Sequence, residues 1–263
     1  MRKPAAILKL TSGRVFSLLV SCCLLLTAYS SFGQSPAKLF ELANDSYKAK
    51  NYKQSIEAYQ KLLGDGYRNS SIYYNLGNAY YKTDQTSQAI LNYERALKLA
   101  PSDEDIRFNL KLANLKTVDK ITPVPQLYLV SKWQNFAGSK SSKSWGIYSI
   151  CAVWLGFMAF AAYLFIDSVR RPSFFTGVTL LFLALFFFSL SYRQHQVEYG
   201  ANEAILTAAD TYIKSAPDAS STDLFMIHEG IKLDLLDKVG DWSKVRLADG
   251  KIGWVEQNNY TVI

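Results

Sequence analysis

Three pairs of residues with recognition chemistry recur at one offset in the N-terminal half. Asn44 and Asn78, Tyr47 and Tyr81, and Lys48 and Lys82 each stand 34 residues apart, and Lys116 extends the lysine register. A side-chain amide can both donate to and accept from a peptide backbone, and a lysine row favours an acidic segment or a terminal carboxylate. The same residue types are also common on solvated helix faces, so both readings stand at this point. Trp242 and Trp254 near the C-terminus are either a binding surface or core packing. Catalytic chemistry has little to draw on. The chain has two histidines, His195 and His228, and no G-x-S-x-G, H-E-x-x-H or phosphate loop. Cys22, Cys23 and Cys151 lie in apolar runs, and Asp103-Glu104-Asp105 opens a helix, where capping accounts for it. His228 reads as a turn residue. The expectation is no enzyme, no cofactor and no metal site.

The elements that must position these residues follow from the same offset. Tyr73, Leu76, Gly77, Tyr80, Ala89, Tyr93, Ala96 and Pro101 form one copy of a pattern; Leu42, Ala43, Tyr47, Ser55, Tyr59 and Leu62 stand in register with it. Two helices per 34 residues, with small residues where they cross, resemble the tetratricopeptide repeat. In such repeats the first helix of each pair lines a concave groove, which is where the asparagines, tyrosines and lysines fall. A third unit would begin near Glu104, but Lys111 replaces the glycine and Pro123 stands where a small residue is needed. Residues 103–118 therefore read as a capping helix, with Ser102 or Asp103 as its N-cap. The repeat region spans 34–120.

The net charge of +7 divides into +4 over residues 1–33, +6 over 34–144 and −3 over 204–263. No basic stripe of the kind nucleic acid requires is present, and no nucleic-acid partner is expected. Residues 1–33 have a basic start, an apolar stretch from Val15 to Ala28 and Ser31-Phe32-Gly33, the pattern of a signal peptide cut before Gln34. Leu19-Val20-Ser21-Cys22 offers a competing lipoprotein site, against which Leu24-Leu25-Leu26 continues the apolar run.

Trp145–Phe165 and Phe174–Tyr192 are each long enough to cross a bilayer and apolar on every face. The loop between them, 166–173, carries Arg170 and Arg171; with the repeat exported, the positive-inside rule puts that loop in the cytoplasm and both soluble ends in the periplasm. Ala152, Gly156 and Ala159 in one span, and Gly177, Ala184 and Ser191 in the other, predict close helix packing. Neither span has an internal ionisable group, so an anchor is expected rather than a conduction path. Residues 121–144 are a membrane-proximal linker: Pro123 and Pro125 break the helix, and Leu127–Trp133 is apolar enough to lie on lipid.

After Arg193 short alternating runs take over: 204–207, 212–215, 224–227, 232–236, 243–247 and 252–255. The stretch from Asp241 to Val255, with W-x-x-V, Asp249-Gly250 and G-W-V in succession, resembles the end of a bacterial SH3-like domain over 203–263. Such domains bind peptides or cell wall. The expected fold class is multidomain: an all-α tetratricopeptide repeat, a transmembrane helical hairpin and a small all-β SH3-like barrel.

Along most of its length the chain resembles the BatE-type proteins of the Bacteroides aerotolerance set. Asn109-Leu110-Lys111-Leu112-Ala113, Val118-Asp119-Lys120-Ile121, Ser131-Lys132-Trp133, Ile213-Lys214-Ser215-Ala216-Pro217, Leu224-Phe225 and His228-Glu229-Gly230 carry the likeness. The resemblance implies an inner-membrane scaffold working with membrane-anchored von Willebrand A-domain Bat proteins and, indirectly, a MoxR-type ATPase. A role in aerotolerance follows from the family name alone. The alternative is an envelope module that binds peptidoglycan, with the repeat as spacer or self-association unit.

Overall fold

The computed structural model describes residues 35–263, so the expected signal peptide, the lipoprotein alternative, Cys22 and Cys23 lie outside the described residues. The repeat region opens with α1 (Pro36–Lys48) and α2 (Tyr52–Gly64), followed by α3 (Ser70–Lys82) and α4 (Thr86–Leu99). Pro36 sits in the first turn, where its missing N–H costs nothing, and Ser35 caps the helix by accepting from the Lys38 N–H. Lys50 and Asp84, also 34 apart, hold φ of 62° and 56° in the turns between paired helices. The small residues sit at the crossings. The Ser55 hydroxyl donates to the Ala43 carbonyl at 2.9 Å, and a Cβ on Gly77 would fall 2.7 Å from the Tyr93 ring. α5 (Glu104–Leu115) closes the array, with Asp103 as the cap accepting from the N–H groups of Asp105 and Ile106.

Residues 116–127 have no regular secondary structure, and α6 (Tyr128–Ala137) follows. The expected linker is thus partly helical. Ala137 is buried, its carbonyl takes the Trp145 indole N–H at 3.1 Å, and Phe136 packs on the Trp145 ring.

α7 (Ser142–Phe165) and α8 (Arg170–Tyr199) form an antiparallel pair, and both are long and apolar enough to cross a membrane. Only 17% of the most apolar window of each is buried within the chain, unlike the core helices of a soluble domain. α8 starts earlier than expected: Arg170 and Arg171 belong to its first turn rather than to a loop, and Pro172 is tolerated there because that turn lacks N–H partners. The tight connection holds a 3₁₀ turn, Asp167–Val169. Small residues form an antiparallel seam with a seven-residue step on both sides. Ser191 donates to the Ser142 carbonyl at 2.8 Å and Ser149 to the Ala184 carbonyl at 2.9 Å. One further step brings Gly156 to Gly177, where an added Cβ on Gly156 would lie 3.6 Å from the Gly177 oxygen.

The C-terminal module is antiparallel: β1 (Glu203–Leu206), β2 (Asp210–Lys214), β3 (Asp223–His228), β4 (Lys232–Val239), β5 (Trp242–Arg246), β6 (Ile252–Glu256) and β7 (Tyr260–Val262). The strand order is β3-β2-β6-β5-β4-β1-β7. The pairing runs without a break from β3 to β7. β7 was missed in the sequence because three residues are too few to show alternation. Ala204, Leu206, Ile213, Ile227, Leu233, Val245 and Val255 form its core.

The repeat and the sheet are packed together. Ile205 of β1 and Ile263 join the hydrophobic core of the helices rather than that of the sheet.

Candidate functional site

The concave side of the repeat is built by α1, α3 and α5. Two adjoining cavities open there. One, about 150 Å³, is lined by Asn44, Tyr47, Lys48, Tyr59, Asn75 and Asn78; the other, about 330 Å³, by residues that include Tyr47, Asn78, Tyr81, Lys82 and Asn109. The structure therefore brings six of the seven proposed groove residues to one surface.

The asparagines are held by a hydrogen-bond triad that repeats with the helices. Asn44 Oδ1 accepts from the Tyr59 hydroxyl at 2.5 Å and from Asn75 Nδ2 at 3.0 Å. Asn78 Oδ1 accepts from the Tyr93 hydroxyl at 2.7 Å and from Asn109 Nδ2 at 2.9 Å. Asn75 and Asn109 were missed as site residues, although they too stand 34 apart. Burial raises the Tyr59 phenol to about 12 and pushes Tyr93 up as well, so both hydroxyls remain donors. Each amide oxygen has both acceptor positions filled from within the chain. That corrects the expectation of amides that donate and accept: what Asn44 and Asn78 present to the groove is their NH₂ group.

The lysines differ among themselves. Lys48 pairs with Asp45 at 3.1 Å on the open surface. Lys116, the seventh residue, is turned away from ligand duty: its Nζ lies 2.7 Å from Asp84 Oδ1 and 4.2 Å from the centre of the Tyr81 ring. That pairing raises the Lys116 pKa and lowers that of Asp84. Lys82 is exposed and, among the described residues, has no carboxylate within ion-pair distance.

On the sheet, Ser243, Val245, Gly253 and Val255 point inward, so strand alternation puts Trp242 and Trp254 on the opposite face. Both are half-buried. In the register Trp242 opposes Glu256 and Lys244 opposes Trp254, which makes the two indoles diagonal neighbours.

His228 does not stand alone in a turn. It ends β3, its backbone N–H donates to Asp119 Oδ2 at 2.7 Å, and its Nδ1 lies 3.2 Å from Asp119 Oδ1. Beyond Asp119 the proline-bearing segment lies along the sheet. Ile121 packs on the sheet's core, and the Val124 N–H donates to the Ala248 carbonyl at 3.0 Å. The first part of the linker is a strap across the C-terminal module.

The outer helix of the second repeat completes the dock. Lys232 on β4 reaches Glu94 on α4 at 3.0 Å and Glu203 at 3.0 Å, and Lys98 reaches Glu203 at 3.4 Å. Arg95 donates to the Val262 carbonyl at 2.6 Å, and the Ser87 hydroxyl donates to Glu229. Gly230 sits against Ile90 and Thr117 at a φ of 88°, where an added Cβ would fall 2.8 Å from Thr117 Cγ2.

Two parts of the chain are similar to known families. Residues 70–103 match the tetratricopeptide repeat, which covers α3 and α4, and residues 209–261 match the bacterial SH3 domain. No curated protein matches the chain. Repeats and bacterial SH3 domains point to protein–protein or peptidoglycan-related binding.

Proposed function

We propose that this chain is a non-enzymatic adaptor of the bacterial inner membrane, anchored by the α7–α8 hairpin, with the repeat and the SH3-like sheet both on the periplasmic side. The observation that carries the reading is the donor edge of the groove. Asn44 and Asn78 offer NH₂ groups while their amide oxygens are already satisfied, and Lys82 stands beside them with no carboxylate at ion-pair distance among the described residues. Such a surface suits a segment rich in acceptors, an extended backbone with acidic side chains or a free carboxylate. The resemblance to BatE-type proteins names the candidates: membrane-anchored von Willebrand A-domain Bat proteins, with a MoxR-type ATPase acting through them. Support for the bilayer reading is the pair of long apolar helices with little intramolecular cover, and Arg170 and Arg171 at their connection.

The test is a pull-down from cross-linked membranes in mild detergent, comparing the intact chain with Asn44→Asp/Asn78→Asp. Aspartate keeps the oxygen that Tyr59 and Tyr93 need while replacing the donor with negative charge. Capture of A-domain proteins by the intact chain and its loss in the variant is the expected result. Equal capture by both removes the groove from the mechanism.

The placing of the half-buried Trp242 and Trp254 side by side on the face away from the sheet's core favours a second reading, in which the SH3-like sheet binds peptidoglycan. Co-sedimentation of the detergent-solubilised chain with purified peptidoglycan, lost on Trp254→Ala, distinguishes it from the adaptor.

A further inference from the structure

Where α8 leaves the span it meets the repeat and the last strand, and a cavity of about 420 Å³ opens between them. Its lining includes Arg68, Arg95, Lys98, Tyr73, Glu198 and Tyr199. Three cations converge here, and among the described residues a carboxylate side chain meets only one of them. Lys98, whose side chain is 8% exposed, is met by Glu203 at 3.4 Å and by the Ile263 oxygen at 3.3 Å. Glu198 is engaged elsewhere, accepting from the Ser142 N–H at 2.7 Å and from the Ser142 hydroxyl. Arg95 has one carbonyl, that of Val262, and lies over the Tyr73 ring, 5.9 Å from its centre. Among the described residues no carboxylate side chain lies within ion-pair distance of Arg68 or Arg95. Burial, with the like charge of Arg68 adding to it, holds Arg95 below its ordinary value.

Lys98 also lines an adjoining cleft of about 500 Å³, with Tyr192, Arg193, Gln196 and Val197 of α8. At 1.5 Å per residue the 30 residues of α8 extend roughly 45 Å, against roughly 30 Å of hydrocarbon. Its last turns therefore stand among headgroups, and so do the two cavities.

We propose that this joint binds the phosphate of an anionic phospholipid, held by Arg68 and Arg95, with the glycerol end leaning on α8 between Tyr192 and Val197. A guanidinium is suited to a phosphate by its planar fork of donors. The exposed Arg68 and the half-buried Arg95 gain a counter-charge that no described side chain supplies. The lipid then ties the orientation of the docked repeat to the membrane surface. This inference rests on reading α7 and α8 as bilayer spans.

The full chain is placed in nanodiscs of phosphatidylcholine alone or with phosphatidylglycerol, and retained lipid is counted by native mass spectrometry. Arg68 is exposed, so Arg68→Gln and Arg68→Glu leave the fold in place; Lys143→Gln removes a charge outside both cavities. The expected result is retained phosphatidylglycerol, about fivefold weaker in Arg68→Gln, lost in Arg68→Glu and unchanged in Lys143→Gln. Equal retention in all four chains overturns the site. Inorganic phosphate titrated into phosphatidylcholine discs separates the sources: Arg68-dependent stabilisation without retained lipid assigns the site to soluble phosphate and overturns the lipid. Arg68-dependent binding of an acidic peptide, again without retained lipid, overturns it equally. Failure of the bilayer reading shows separately, as a chain that does not stay with the discs.

Discussion

Lys232 Nζ sits 3.0 Å from Glu94 Oε2 and so joins the outer helix of the second repeat to the fourth strand of the SH3-like sheet. Its other neighbour, Glu203, is shared with Lys98, which makes a chain of alternating charge along the seam. The expected cost of Lys232→Met is about 1–3 kcal/mol, the penalty for carboxylates left without a partner, discounted because the lysine is partly exposed. The double variant Glu94→Leu/Lys232→Met removes one orphaned charge together with its partner and is expected to cost less than the sum of the single changes. Denaturant midpoints of the four proteins measure this; strictly additive costs would show that the two groups do not interact.

The same seam gives a pH dependence with a definite sign. Burial opposes the charge on Glu203, but Lys232 and Lys98 outweigh it and hold this carboxyl below its ordinary 4.5. A lowered acid contributes stability that is present above 4.5 and is lost as pH falls through its folded value. Burial likewise opposes the Lys232 charge, and Glu94 with Glu203 outweighs it to raise the lysine above 10.5. That contribution is present below 10.5 and is lost as pH rises through the folded value. The dock is therefore expected to be flat through the neutral range and to loosen at both extremes. Hydrogen exchange at α4 and β1 as a function of pH tests this, and loosening between pH 6 and 8, roughly the window where only histidine titrates, would contradict it.

In the groove, alanine and aspartate are expected to behave oppositely at Asn44. Tyr59 is wholly buried, and alanine takes away the oxygen its hydroxyl donates to, at about 1–3 kcal/mol. Aspartate keeps that acceptor for both Tyr59 and Asn75, so its thermal midpoint should stay close to that of the parent chain. A binding defect seen with alanine alone therefore reports folding, whereas one seen with aspartate reports the donor edge. Equal midpoints for the two variants would argue against the triad as a structural tie.

The offset of 34 made much of this groove legible in the sequence. Gly77 and Tyr93 are a matched pair whose sizes only make sense in contact, and Asn44, Tyr47 and Lys48 announced themselves by recurring. The triads were legible too, since Asn75 and Asn109 keep the same offset, but nothing in one asparagine says that its oxygen is taken. The dock was not legible. Glu94 and Lys232 are 138 positions apart on elements of different type, and each alone looks like a solvated charge. Asp119 and His228 are separated in the same way, which is why a strapped module read as one following a free linker. The start of α8 was hidden for a local reason: Arg170-Arg171-Pro172 has loop composition, and a helix accepts that proline only in its first turn, where N–H groups have no partners.

The hairpin seam makes a prediction about packing. Ser142, Ser149 and Gly156 meet Ser191, Ala184 and Gly177 in successive layers, and the Ser149 and Ser191 hydroxyls each reach a carbonyl across the seam. At Gly156 an added Cβ would find ordinary contacts, at 3.5 Å from Leu181 and 3.6 Å from Gly177, so alanine is expected to be tolerated. Gly177 differs, because its Cβ would meet the Phe160 ring at 3.0 Å and something must give. Leucine at either glycine would push the helices apart and break the Ser149 hydrogen bond, whereas Cys151 faces away from the seam and is exposed. The expected order of heat stability in detergent is parent, then Gly156→Ala, then Gly177→Ala, with both leucine variants lowest and Cys151→Leu unchanged. A Gly156→Leu chain as stable as the parent would mean that the layers are incidental and that the two helices are held by their ends.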